Sequence, residues 1–300
     1  MGRSAAQVRD PVLTNFQRKH EYLIAIDSDG CAFDTMEIKH KECFIPNTVQ
    51  YWDLQPISKY ARAAAEFVNL YSRWRGINRW PALIKTFDLL AEWPAVGRRQ
   101  ARIPELRPLR DWVARETTLA NHRLRALVEE TGDPVFRQGL AWSEAVDATI
   151  AGMVHHIPPF PLVRESLRKI SEWADILVSS VMPGEALARE WTEHGIAQYT
   201  TLIAGQELGG KAEHIRKACA GHYDRSRVLM IGDAPGDMKA ARANDALFFP
   251  IQPGHEESSW QFFFTEAADK FRGGEYTADY EARLIAAFDA LLPEVPPWMV

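Results

Sequence analysis

The stretch Tyr22–Thr35, YLIAIDSDGCAFDT, decides the fold. Five apolar residues lead into Asp27, a second carboxylate follows at Asp29, and Gly30 lets the chain turn. A short uninterrupted apolar run of this kind reads as a buried strand of a parallel sheet. Ligands of open α/β sheets bind just beyond the carboxyl ends of such strands, where Asp27 and Asp29 fall. Two carboxylates on one strand tip repel unless a cation or a shared proton separates them. Taken alone, the pattern also suits an acidic turn closing a strand, with Asp29-Gly30 as its turn residues.

Three distant segments extend the reading. Val228–Ile231 is a second apolar run, ending in Gly232-Asp233-Ala-Pro-Gly-Asp237, after which Met238–Ala243 reads as a helix. Asp175-Ile-Leu-Val-Ser179-Ser180 is a strand ending in hydroxyls, and Gly209-Gly210-Lys211 places a lysine behind a glycine pair. A single serine or lysine at a strand end is usually a cap or a solvated side chain. The order of all four segments carries the signal.

In that order the sequence resembles the haloacid dehalogenase-like hydrolase superfamily. The family pattern is a strand ending D-x-D-G-T, a strand-end Thr or Ser, a Lys, and a strand ending G-D-x-x-x-D. Here the matching positions are Asp27-Ser-Asp29-Gly30-Cys31, Ser179, Lys211 and Gly232-Asp233-Ala-Pro-Gly-Asp237. Cys31 departs from the usual Thr, keeping a small residue and losing a hydroxyl. The likeness covers roughly 22–36 and 160–252. It implies Mg²⁺ as cofactor, held by Asp27, Asp233, the Asp29 backbone carbonyl and, through water or Lys211, Asp237. It also implies Asp27 as nucleophile and Asp29 as acid, then base. Ser179 is implied as donor to a phosphoryl oxygen, and Lys211 as charge balance.

The residues alone explain why such a set suits phosphate esters. Hard oxygen donors from two strand ends fit Mg²⁺, which offsets the charge that repels an anionic nucleophile. A covalent intermediate divides one difficult displacement into two. One carboxyl group serving as acid and then as base suits that sequence of steps. Dehalogenase and phosphonate-cleaving relatives lack the acid that Asp29 supplies, so a small phosphorylated substrate and phosphatase chemistry are expected. Phosphomutase chemistry and a non-catalytic binding protein on the same fold are the alternatives.

Apolar runs at Tyr22–Ile26, Ile176–Val178, Thr200–Ile203, Val228–Ile231 and Ala246–Pro250 alternate, from 176 onward, with helical stretches such as Gly184–His194 and Lys211–Ala220. Alternation of this kind predicts an α/β fold with a doubly wound parallel sheet, Rossmann-like by resemblance. Between Thr35 and Pro159 the sequence reads as helices: Lys59–Arg73, Pro81–Trp93, Pro108–Thr118, Leu119–Thr131 and Ser143–Met153. The expected organisation is a core of 1–34 and 160–300 with an inserted, mostly helical cap of 35–159. In the family an insertion here is a mobile lid. After the fifth strand, Gln252–Trp260 reads as a loop, followed by helices over Gln261–Arg272 and Thr277–Leu292.

Residues 35–160 carry a net charge of +3 and the remainder −8, within a chain of 300 residues and net −5. A mildly basic cap over an acidic core suits an anionic substrate. Arg75 and Arg79, flanked by Trp74, Trp80 and Asn78 around Gly76, are candidates for substrate binding, as is Ser180. Packing of the tryptophans among cap helices is the competing reading. His155-His156 is a minor metal candidate beside an ordinary hinge role.

The overall charge gives no reason to expect nucleic-acid binding. Cys31, Cys43 and Cys219 lack metal-ligand spacing and fit a reducing compartment. No apolar stretch is long enough to span a membrane. The first twenty residues lack a signal-peptide core, and Ala6 breaks the myristoylation pattern, so a cytoplasmic location is expected. Oligomeric state is open.

Overall fold

β1 (Tyr22–Ile26) lies at the centre of a five-stranded, all-parallel sheet in the computed structural model, which describes residues 16–220 and 222–299. The others are β2 (Ala174–Ser179), β3 (Leu202–Ala204), β4 (Val228–Gly232) and β5 (Leu247–Pro250), in the order β3-β2-β1-β4-β5. β1 is apolar throughout because it is covered on both faces. Ile24 and Ile26 join Ile176, Val178, Leu229, Ile231 and Phe249 in one buried cluster, while Leu23, Ala25, Leu177, Met230 and Phe248 are equally buried. The reading of the N-terminal leader falls on residues outside the described ones.

This strand order sets where a ligand binds. The chain leaves β1 for β2 and β3 on one side, then returns to β4 and β5 on the other. Strand order therefore reverses at β1, and a crevice opens at the carboxyl ends of β1 and β4. Ile26 pairs with Val178 on one flank and Ile231 on the other, so Asp27 is level with Ser179 and Gly232.

Two compact units divide the chain, one running up to Asp34 and over Pro158–Phe288, the other combining Thr35–Ile157 with Asp289–Val300. The second is helical, with principal helices Ser58–Leu70, Arg79–Glu92, Arg107–Arg115, Asn121–Thr131 and Pro134–Met153. Its core is aromatic: Trp80 lies edge-on to Trp112 at 5.3 Å and to Trp142 at 5.4 Å.

The last helix starts at Pro134 rather than Ser143. The Asp133 carboxylate accepts the N–H of Val135 at 2.7 Å and of Phe136 at 3.4 Å, and Pro134 tolerates the first turn. Residues 35–51 are helical too, as Thr35–Ile38, Lys39–Phe44 and Ile45–Tyr51 in succession. Pro46 sits in the first turn of the last of these, where its missing N–H does no harm. Gln252–Trp260 is not wholly loop, since a helix begins at Glu256 and encloses Trp260.

The chain's last residues also differ from expectation. The tail from Asp289 groups with the helices, not with the sheet. Trp298 stacks on Trp93 at 4.2 Å and meets Phe67 edge-on at 5.5 Å, giving the tail an aromatic seat. Trp298→Ala is expected to weaken that seat by about 2 kcal/mol. Hydrogen exchange should speed up around Phe67 and Trp93 while the sheet strands stay protected; unchanged exchange there would contradict the anchoring role.

Candidate active site

Asp27 stands one residue beyond β1, with its N–H bonded to the Ile231 carbonyl at 3.0 Å. Its Oδ1 accepts the Ser28 N–H at 2.7 Å and its Oδ2 meets Lys211 Nζ at 2.6 Å. Lys211 opens the helix Lys211–Cys219 and reaches Asp237 Oδ1 at 2.5 Å with the same ammonium. The other Asp237 oxygen accepts the Ala234 N–H at 3.1 Å and closes the first turn of the helix Pro235–Arg242. Oxygens of Asp27, Asp233 and Asp237 lie within 4.8 Å of one another, and all three side chains are buried.

Three converging carboxylates present hard oxygen donors and an excess of negative charge, which one ammonium only partly balances. That donor set fits Mg²⁺ better than a softer metal. Among the described residues it is the one such cluster of three or more His, Cys, Asp or Glu; His155 and His156 form a ring pair at 4.9 Å instead.

Electrostatics follow from the crowding. Burial pushes the Asp27 carboxyl well above its ordinary range; Lys211 opposes this, while Asp237 and Asp233 add to it. Burial alone would lower Lys211, but Asp237 and Asp27 outweigh it and hold the ammonium charged.

Among solved structures the chain is similar to a haloacid dehalogenase-like family hydrolase from Streptococcus pneumoniae, at 13% identity and TM-score 0.47. That match covers 80% of this chain and 90% of the other. It is similar to CbbY from Rhodobacter sphaeroides, in complex with phosphate, at 15% identity and TM-score 0.41, over 79% and 87% of the two chains. It is also similar to the HAD-hydrolase YfnB from Bacillus subtilis, bound to magnesium, at 14% identity and TM-score 0.41, over 77% and 86%. The resemblance is to haloacid dehalogenase-like hydrolases. No protein-family model and no curated protein sequence matches the chain. At identities of 13–15% and TM-scores of 0.41–0.47, none of these likenesses carries chemistry over to this chain.

The loop that carries Asp27 and Asp29 is held from several sides. The Ser28 carbonyl accepts the N–H groups of Cys31, Ala32 and Phe33 at 3.3, 2.9 and 3.0 Å. Gly30 takes φ 73°, a region costly for side chains, and donates to Phe33 O at 2.8 Å. Asp29, half-buried, sits at the isolated bridge to Phe33. Two tryptophans that the sequence motifs do not include brace the loop: Trp191 Nε1 donates to Ser28 Oγ at 2.9 Å, and Trp260 Nε1 to the Cys31 carbonyl at 2.7 Å. No local pattern announces either contact, because each joins residues more than 160 positions apart.

Cys31, standing where such hydrolases usually have Thr, is fully buried and its thiol donates weakly to Ile231 O at 3.6 Å. Burial, with Asp233, Asp27 and Asp237 behind it, pushes this thiol well up, so it stays protonated. The turn after β1 thus carries a weak thiol donor at this position.

The remaining candidates divide. Ser179 ends β2 with its Oγ 3.0 Å from His214 Nδ1, and Ser180 Oγ accepts the Met182 N–H at 3.3 Å. Arg75 and Arg79 belong to the helical unit. Arg75 is buried and donates to the Leu70 carbonyl at 3.0 Å. Arg79 donates to Ser143 Oγ, pairs with Asp147 at 2.7 Å and lies over the Phe44 ring.

Gly232 permits the cluster. A Cβ there would fall 2.3 Å from the Asp237 Cβ and 2.5 Å from its Oδ2. Gly232→Ala is expected to displace Asp237 and abolish stabilisation of the protein by Mg²⁺ in thermal melts; an undiminished shift would contradict the packing argument.

A carboxyl raised by folding favours the folded state below the ordinary carboxylate range near pH 4, and that contribution is lost as pH rises through the raised value. For Asp27 this destabilises the metal-free protein toward neutral pH, and a cation on the ionised cluster offsets the loss. Mg²⁺ should therefore raise the melting temperature more at pH 7.5 than at pH 5. Equal shifts at both pH values would contradict the assignment.

Proposed function

We propose that this chain is a Mg²⁺-dependent phosphoric monoester hydrolase of the haloacid dehalogenase type, acting on a small phosphorylated metabolite through an aspartyl phosphate. The observation that carries the reading is the Lys211 ammonium set between Asp27 and Asp237, with Asp233 alongside at the strand-order reversal. An acidic turn closing a strand has no use for two further carboxylates and a buried lysine gathered from distant segments.

Asp27 is oriented before substrate arrives, one oxygen held by the Ser28 N–H and the other by Lys211. Its carboxylate attacks phosphorus in line, forming the acyl phosphate bond as the ester P–O bond breaks. Asp29 gives its proton to the departing alkoxide, then takes one from the water that attacks the acyl phosphate and releases Asp27. Lys211 balances charge that builds on the phosphoryl oxygens and on Asp27. Mg²⁺, which Asp27, Asp233 and Asp237 would hold, supplies charge neutralisation between these carboxylates and the phosphoryl group.

Phosphate release from an aryl phosphate should require Mg²⁺, stop with EDTA, and fall by about 10³-fold or more in Asp27→Asn. Metal-independent release, or a variant as active as the parent, would overturn the reading.

A further inference from the structure

The helix Lys211–Cys219 delivers two buried polar groups to neighbouring strand tips. Residues 211 and 214 share one face of the helix. Lys211 goes to Asp27, and His214, fully buried, goes to Ser179, whose strand end is level with Asp27. No role in the hydrolysis set out above uses this histidine.

Burial lowers the His214 pKa, and Lys217 adds to the lowering, while the carbonyls of Gly205 and Gly209 and the carboxylate of Glu213 oppose it. The ring is therefore neutral at working pH and carries one N–H. Nε2 makes no hydrogen bond of normal geometry among the described residues. The two tautomers then differ in what they leave to Ser179. With the proton on Nε2, Nδ1 accepts the only hydroxyl proton of Ser179, which can no longer donate to an anion. With the proton on Nδ1, Ser179 Oγ accepts from the ring and its own proton is left for another acceptor. The carbonyls of Gly205 and Gly209 stand near the ring, but neither gives Nε2 a bond of normal geometry, so the second arrangement also avoids leaving a buried N–H donor without a well-placed acceptor, the costlier kind of orphan.

We propose that His214 is a positioning residue, which donates from Nδ1 to Ser179 Oγ and so aims the serine proton at the phosphoryl oxygen above Asp27. The proposal rests on the phosphatase reading and assigns His214 no contact with substrate. Its effect passes wholly through Ser179, which makes it separable from packing.

The test is binding of inorganic phosphate to the full-length, Mg²⁺-loaded protein by calorimetry, alongside turnover of an aryl phosphate. Ser179→Ala and His214→Leu should each weaken phosphate binding about 10-fold, the worth of one hydrogen bond to a charged group. The double variant should bind no worse than Ser179→Ala alone. His214→Asn, whose amide reaches the position of Nδ1, should recover most of the affinity, and His214→Gln, whose amide reaches that of Nε2, should not. Losses that multiply in the double variant, or equal binding by the Asn and Gln variants, overturn the proposal. The Asn–Gln comparison decides if the leucine variant fails to fold. Metal-dependent turnover by the parent beside multiplying losses removes the role of His214 and leaves the hydrolase; a parent that neither turns over nor binds phosphate removes both.

Discussion

Everything in the sheet unit turns on holding three carboxylates together in a buried place. Asp27, Asp233 and Asp237 bring oxygens within 4.8 Å of one another, and the Lys211 ammonium meets two of them, Asp27 and Asp237. Like charges at this separation are strongly unfavourable where water is excluded. A protein without use for the arrangement would be stabilised by losing it. A cation bound among the three would turn that repulsion into affinity.

The backbone imposes the cluster. Parallel pairing of β1 with β4 sets Asp27 level with Gly232, and the missing side chain at Gly232 lets Asp237 close in from the following helix. Each tryptophan indole donates to the loop between Asp27 and Phe33, Trp191 to a side chain and Trp260 to the backbone. These bonds cost little, since both indoles are buried in the sheet's own core and need an acceptor there anyway. Rigid surroundings of this kind are what allow a reactive carboxylate to be aimed before substrate binds.

Sequence made the strands and their acidic tips legible because each strand is a short apolar run and each tip is local to it. β1 is found at its expected limits, and Asp27, Lys211, Asp233 and Asp237 converge. What sequence hid is of a different kind. The helix from Pro134 depends on a cap at Asp133 that a search for apolar periodicity passes over. The tail's allegiance to the helices depends on Trp298 meeting Trp93 and Phe67, far away along the chain. Trp191, Trp260 and His214 act through single long-range bonds, which leave no periodic trace in the residues around them. Arg79, a candidate for an anion by composition, bonds to Ser143 and Asp147 within its own unit.

In the proposed mechanism Asp27 is a nucleophile toward phosphorus in a cation-dependent site. Fluorine NMR of the protein with beryllium fluoride tests it most directly, because the beryllofluoride adduct of a carboxylate mimics an acyl phosphate without needing the right substrate. Bound fluorine resonances should appear with Mg²⁺ and vanish with EDTA or in Asp27→Asn. Resonances that persist in that variant, or none in the Mg²⁺-loaded parent, would contradict it.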